Sequence, residues 1–329
     1  MAAYIDTFAQ ISTQSPLEQS FFDSPVPCAG DYCRAIEADY SKFIPPIAAR
    51  RMGALLKRAL ATSLTALKEA SLESPEAIIF GTGLGCIDNT EKFLTAMIDN
   101  AETCLQPTFF INSTHNTVAS QVATFLKCNS YNSTYAHLGM SFEGALMDAL
   151  MQIELGQIGN ALVGSHDEMT PTYYGLFKKV DYWKAPYGEC SAAFVLSSER
   201  KPSSLCEIKD MDIVYSSSVD DAKDRLMKLL AKNDFTVDCI VTGRSGDERY
   251  DGAYDEILSK DTLQCHYKHI FGESFSASAF GLMLGAKILS QGYAPKEYIY
   301  CGENPSCVHN VLVVNSFRNK DWSFILLHK

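Results

Sequence analysis

Two stretches of this chain repeat one plan, and the repeat limits what it can fold into. Residues 144–164 read GALMDALMQIELGQIGNALVG, and residues 281–302 read GLMLGAKILSQGYAPKEYIYCG. In each, a Leu-Met pair (Leu146-Met147, Leu282-Met283) is followed nine residues after the methionine by a glycine (Gly156, Gly292), then by a short strand-like run. An apolar helix ended by a glycine cap and returning into a strand is the βα unit of a sheet covered on both faces. Residues 77–83, AIIFGTG, and 239–244, CIVTGR, supply matching strand-to-glycine turns. The chain therefore reads as a duplicated α/β protein with its seam in the polar stretch SSERKPSS at 197–204, giving halves 1–200 and 201–329. Residues 48–70 form a third helical run, apolar at Leu55, Leu56, Leu60, Leu64 and Leu67.

Residues 132–148, NSTYAHLGMSFEGALMD, run from a short strand through a glycine-containing turn into the first of those helices. Acyl-transferring enzymes present a nucleophile from such a backbone, because unpaired N–H groups at a helix start bind an oxyanion and lower a thiol pKa. This turn has no cysteine. Its tightest point is expected at Gly139, and the nearest nucleophile candidates are Ser141 and His137. Ser141 misses the G-x-S-x-G hydrolase elbow by one residue, so its expected role is to cap the helix. His137 is expected to pack in the core.

The segment resembles the nucleophile elbow of the β-ketoacyl synthases, with Asn132-Ser133-Thr134 at the start of the strand and Asp148-Ala149 in the helix. Other stretches agree. Residues 79–89, IFGTGLGCIDN, resemble the family's first glycine turn, and 156–171, GQIGNALVGSHDEMTP, its "GG-x-E…TP" signature. Residues 187–196, YGECSAAFVL, are similar to its "GEGA" strand, with Cys190, expected to be a buried thiol, at a glycine. The N-terminal AYIDTFAQISTQ and the IPPIAARRM at 44–52 look most like the short ketosynthase-like proteins of bacterial aryl-polyene and flexirubin-type pathways. The resemblance spans about residues 3–329. It implies a thiolase-like five-layer duplicated fold: two βα halves, mixed sheets, helices between and outside, and trimmed loops around the pocket.

The resemblance also marks what is missing. Gly139 falls where the catalytic cysteine belongs. The "AHGTST" turn that carries one histidine reads VTGRSGD at 241–247, with Gly243 and Arg244 and no imidazole. The "K-S-x-x-G-H" segment reads KHIFGE at 268–273, placing Glu273 at the second histidine. The gating loop "NSFGFGGTN" begins as Asn315-Ser316-Phe317 and departs as RNKDW. A carboxylate at Glu273 would face the substrate's own, and like charges about 4 Å apart repel by roughly 4 kcal/mol at an effective dielectric near 20. Two roles stay open for Glu273: a functional buried acid, or an ion-pair partner of Arg244. No catalytic residue is expected, with Ser141 and His137 as fallback. The resemblance implies a substrate pocket lined by Phe109, Phe110, Met140, Phe271 and Phe317.

Composition sets the remaining bounds. At 329 residues and 47% apolar content the chain can bury one large core or two joined halves. A net charge of −11 argues against nucleic acid and anionic membranes, and disfavours direct attraction to an acidic carrier protein. Eleven cysteines with no C-x-x-C pair point to reduced, mostly buried thiols and a cytoplasmic location. No basic leader and no eighteen-residue apolar run is present, so neither secretion nor membrane insertion is expected. The sets His166-Asp167-Glu168 and His266/His269 are weak metal patterns, and no metal or cofactor is expected.

The expected function is that of a non-catalytic, chain-length-factor-like partner subunit of an active β-ketoacyl synthase in polyene, polyketide or fatty-acid-like elongation. The chain is expected to be inactive alone, to form a homodimer or a heterodimer through the Phe109-Phe110-Ile111 segment, and to meet an acyl carrier protein through its partner. The alternatives are an acyl hydrolase or acyltransferase using Ser141 and His137, and a homodimeric acyl-binding protein.

Overall fold

The computed structural model describes residues 3–103 and 105–329. The strands are β1 (Ala3–Ile11), β2 (Tyr32–Cys33), β3 (Ala77–Gly81), β4 (Tyr131–Tyr135), β5 (Asn160–Asp167), β6 (Tyr187–Gly188), β7 (Cys190–Ser197), β8 (Cys206–Val214), β9 (Cys239–Thr242), β10 (Leu263–His266), β11 (Ile299–Cys301), β12 (Asn310–Phe317) and β13 (Asp321–His328). The helices are α1 (Pro46–Ala49), α2 (Ala54–Glu69), α3 (Ile87–Asp99), α4 (Pro107–Ile111), α5 (Thr117–Leu126), α6 (Ser141–Glu154), α7 (Pro171–Lys179), α8 (Val219–Lys232), α9 (Glu248–Ile257), α10 (Lys268–Phe271) and α11 (Ser278–Gln291).

The repeat seen in the sequence is a repeat in topology. The N-terminal strands run β1-β7-β5-β3-β4 and the C-terminal strands β8-β13-β12-β9-β10, with β11 added outside β10. β3 lies parallel to β4 and β5, as β9 lies parallel to β10 and β12, while β7 and β13 pair antiparallel with their neighbours. The strands of the two halves are linked where β1 pairs with β8 through Ala3↔Ile208, so they run on as one eleven-stranded mixed sheet.

Alternating side chains divide this sheet into layers. Ala77 and Ile79 of β3 and Val311 and Val313 of β12 join one core with α6 and α11. Ile78 and Phe80 face the opposite way, onto α2 and α5, and Leu312 and Val314 face α8 and α9. Three helical layers and two sheet layers follow. Of the central pair, α11 is buried nearly all round, while α6 keeps an open edge at Asp148, Met151 and Glu154. Each ends as the glycine spacing requires, with Gly156 at φ 66 and Gly292 at φ 83 in the left-handed region.

Two local expectations are corrected. The helical run at 48–70 is broken: α1 stops at Ala49, and α2 starts after Gly53, whose extended backbone (φ −66, ψ 168) separates the two helices. The cysteines are not all free thiols, because Cys28 and Cys33 form a disulfide in the loop before and within β2. Cys86, Cys128, Cys190, Cys206, Cys239 and Cys265 are buried thiols, Cys301 is half-buried and Cys307 exposed. Cys104 lies outside the described residues. Among the described residues no helix is long and apolar enough to cross a membrane.

Candidate functional site

The elbow keeps a strained backbone and carries glycine at position 139. β4 ends at Tyr135, a 3-10 turn covers Leu138–Met140, and α6 begins at Ser141. The residue in the left-handed region is Leu138, at φ 48, a costly place for a side chain; Gly139 is not. The expectation that Gly139 marks the tightest point of the turn is thereby corrected. Space demands glycine there. A Cβ on residue 139 would stand 2.4 Å from Cδ2 and 2.9 Å from Cγ of Phe317.

Ser141 and His137 are not brought together. Ser141 is fully buried; its Oγ accepts the His137 backbone N–H at 2.7 Å and faces the carbonyls of Leu138 at 2.7 Å and Thr82 at 3.0 Å. It pins the elbow to the turn after β3 instead of capping α6. The His137 ring is exposed and stacks on Tyr215 at 4.7 Å, so its expected place in the core is corrected.

Three of the altered positions, Gly139, Gly243 and Glu273, meet around one small cavity of about 20 Å³, room for about one water, and Arg244 does not line it. Gly139, Gly243, Lys268, Glu273, Asn315 and Phe317 line it, and its lining holds no thiol and no imidazole. Glu273 pairs with Lys268, Oε2 to Nζ at 2.8 Å, both side chains buried. Burial raises the Glu273 carboxyl above its ordinary range, and Lys268 opposes that rise. The pairing with Arg244 is overturned. The Arg244 guanidinium donates to Asp251 O at 2.7 Å and Asp255 Oδ1 at 2.6 Å and lies over the Tyr300 ring at 4.6 Å. The turn at Gly272, φ 78, brings Lys268 and Glu273 together, a contact their five-residue spacing hides.

A second buried acid lies behind the cavity wall. Glu143 accepts from Asn315 Nδ2 at 2.9 Å, Ser278 Oγ at 3.1 Å and Ser323 Oγ at 3.1 Å. Burial raises this carboxyl, and all the partners named are neutral. Asn315 also fixes the second glycine turn: a Cβ on Gly243 would meet Asn315 Oδ1 at 2.4 Å and Tyr254 Oη at 2.9 Å. Glu143 carried no motif in the sequence; only its place inside an apolar helix marked it.

Aromatic side chains roof the cavity. Tyr182, Trp183, Phe275 and Phe317 pack in one cluster, and the Arg318 guanidinium lies over Tyr182 at 4.1 Å. The β12–β13 hairpin closes directly, with Phe317 opposite Asp321 and Arg318 and Asn319 at φ 58 and 55. The glycine-rich gating loop of the resemblance is replaced by this three-residue turn.

Of the five expected pocket residues, only Phe317 lines the cavity. Met140 and Phe271 are buried elsewhere, Phe271 stacked on Phe280 at 4.0 Å. Phe109 and Phe110 sit on α4, with Phe110 57% exposed and packed against Phe93. Among the described residues no group of three or more His, Cys, Asp or Glu side chains is arranged to hold a metal. The His266 and His269 rings stack at 3.8 Å, and burial lowers both pKa values. Asp167 is spent on the turn after β3, accepting from Gly83 and Leu84 N–H and from Ser276 Oγ. Cys190 is buried, its thiol 3.4 Å from Ser276 O.

The sequence profile of the β-ketoacyl synthase N-terminal domain matches residues 31–244. A search of the curated proteins finds no match. Among solved structures, the chain is similar to the ishigamide ketosynthase/chain length factor (15% identity, TM-score 0.80, covering 100% of this chain and 99% of that one). It is also similar to a β-ketoacyl synthase from Burkholderia phymatum STM815 (13% identity, TM-score 0.83, 100% and 99% covered). A third is the complex of the ketosynthase ApeO with its chain length factor ApeC from Xenorhabdus doucetiae (14% identity, TM-score 0.79, 99% and 98% covered). With this profile over most of its length and the duplicated thiolase-like fold throughout, the chain belongs to the β-ketoacyl synthase family.

Proposed function

We propose that this chain is a non-catalytic, chain-length-factor-like partner subunit of an active β-ketoacyl synthase, acting in polyene, polyketide or fatty-acid-like chain elongation. One observation carries the reading: the Phe317 ring fills the space beside Gly139 where a nucleophile's side chain would stand. A ketosynthase holds its acyl chain on a thiolate, and a position without a side chain under a ring offers none. The Lys268–Glu273 pair, in place of a histidine, supplies a fixed charge pair and no neutral donor to a thioester carbonyl. The hydrolase reading draws no support from the Ser141 hydroxyl, whose hydrogen bonds all go to backbone.

The partner surface follows from the same sheet. β4 is an end strand, hydrogen-bonded to β3 alone, and an unpaired edge is a template for a second chain. Phe110 and Ile111 of α4 are exposed, an apolar pair of the kind a partner covers. In this reading a homodimer or a heterodimer forms through β4 and α4, and an acyl carrier protein is met through the active partner. Residues 1–200 and 201–329 act as its two halves, and the protein works in the cytoplasm.

The test is to incubate the purified chain with acyl and malonyl thioesters, alone and with a cysteine-bearing ketosynthase from the same genome. The expected result is no acyl adduct on this chain, a complex with the ketosynthase, and a product length that depends on that complex. An acyl adduct mapped by mass spectrometry to residues 137–141 overturns the reading.

A further inference from the structure

A second cavity, far larger and sharing no lining residue with the one at Gly139, opens on the outer side of the N-terminal half. Its volume is about 380 Å³, inside the range of about 300–1,000 Å³ typical of small-molecule sites. One wall is aliphatic, from Met52, Leu55 and Leu56. The facing wall is uncharged and polar, from Asn112, Thr117 and Gln121. The floor is buried Glu168 beside buried Cys86, and exposed Arg51 stands at the mouth.

The first turns of α2, α3 and α5 all reach this cavity, through Leu55, Asn89 and Thr117. No side chain caps α2 or α5. At α3 the Asp88 N–H is taken by Glu168 Oε1 at 3.2 Å. The other Glu168 oxygen accepts no hydrogen bond among the described residues and keeps some contact with solvent. Burial pushes this carboxyl up to about 7, so near neutrality much of it is uncharged and able to donate. Positive ends of two uncapped helices and a guanidinium without an ion-pair partner among the described residues favour an anion at the mouth. Beneath them lies aliphatic wall, which favours a hydrocarbon body.

We propose that this cavity binds a small aliphatic monocarboxylate, its carboxylate at the mouth between Arg51 and the starts of α2 and α5 and its chain along Met52, Leu55 and Leu56. A dicarboxylate or phosphate finds one guanidinium and an acidic floor. An amine meets the guanidinium and the helix ends. The site uses neither Gly139 nor β4, but it shares α4 with the proposed partner face through Thr108 and Asn112, so binding is measured on the full chain without its partner and does not depend on whether that partner exists.

The test uses the full chain and sodium octanoate, with octylamine and 1-octanol as charge controls, followed by calorimetry. Saturable one-to-one binding of octanoate, at least tenfold tighter than either control, is expected. Arg51→Ala, at an exposed position, is expected to weaken octanoate at least tenfold and leave octanol unchanged. Leu56→Trp is expected to fill the cavity and abolish binding, with thermal unfolding confirming that the variant folds; Gln121→Trp serves if it does not. A photoreactive diazirine analogue of octanoate is expected to label residues 51–56 or 117–121. No saturable octanoate binding, equal binding of the three probes, labelling confined to other regions, or indifference to Arg51→Ala each overturns the proposal.

Discussion

The Phe317 ring and the α-carbon of Gly139 are mutually fitted: any Cβ on residue 139 would lie 2.4 Å from the ring's Cδ2. The missing side chain at residue 139 and the filled space beside it are therefore one feature. Residue 139 cannot acquire a side chain until residue 317 gives way.

Gly139→Cys is accordingly expected to yield no condensing enzyme and to destabilise the fold by about 1–3 kcal/mol through overpacking. Phe317→Ala in the same chain is expected to relieve part of that cost, giving a coupling energy of about 0.5–3 kcal/mol between the two positions. Urea denaturation of the four proteins of the cycle measures it. Strict additivity would show that the ring moves aside freely. Condensation of acyl and malonyl thioesters by Gly139→Cys near ordinary ketosynthase rates would show that no histidine is required.

Removing one partner of the buried Lys268–Glu273 pair is expected to cost more than removing both. Glu273→Ala leaves the Lys268 charge buried and unpaired, a loss of about 3–5 kcal/mol. Lys268→Met with Glu273→Leu is expected to recover most of it. Equal midpoints for the single and double variants in denaturant would mean that Lys268 finds water once Glu273 is gone.

The pH dependence of stability has a definite sign at Glu168. Its carboxyl is raised from 4.5 to about 7, chiefly by burial, so between those values the folded state holds a proton that the unfolded state has released. Stability is full below the lower value and is lost as pH rises toward 7, at up to roughly 1.4 kcal/mol per unit. Glu168→Gln is expected to flatten the urea midpoint between pH 4.5 and 7. An unchanged slope in the variant would place the proton elsewhere.

Phe110→Asp tests the partner face. The side chain is largely exposed in the isolated chain, so folding is expected to survive, while an unpaired charge buried at an interface costs several kcal/mol and association is expected to fail. Sedimentation velocity of wild type and variant at micromolar concentration, with and without a cysteine-bearing ketosynthase from the same genome, reads the outcome. A wild type that stays monomeric in both cases rules the face out.

Alkylation under denaturing conditions is expected to find two fewer thiols before reduction than after it, from Cys28 and Cys33. Cys33→Ser is expected to cost about 2 kcal/mol, the value for so short a closed loop. Eleven reactive thiols without reductant would show that the bond does not form in solution.

The duplicated architecture was legible in the sequence because it rests on local signals. Glycine caps at Gly156 and Gly292, apolar helices before them and glycine turns after β3 and β9 each act over a few residues, and the two halves repeat them. The residue types at Gly139, Gly243 and Glu273 were legible for the same reason, since identity at a position is written in one dimension. What only the tertiary structure decided are the contacts across distance. Phe317 over Gly139, Lys268 rather than Arg244 on Glu273, Asn315 holding Glu143, and the cavity walled by three helix starts each join segments whose approach is set by the whole sheet. Pairing depends on which chain segments the fold brings within a few ångströms, and composition and spacing do not encode that distance.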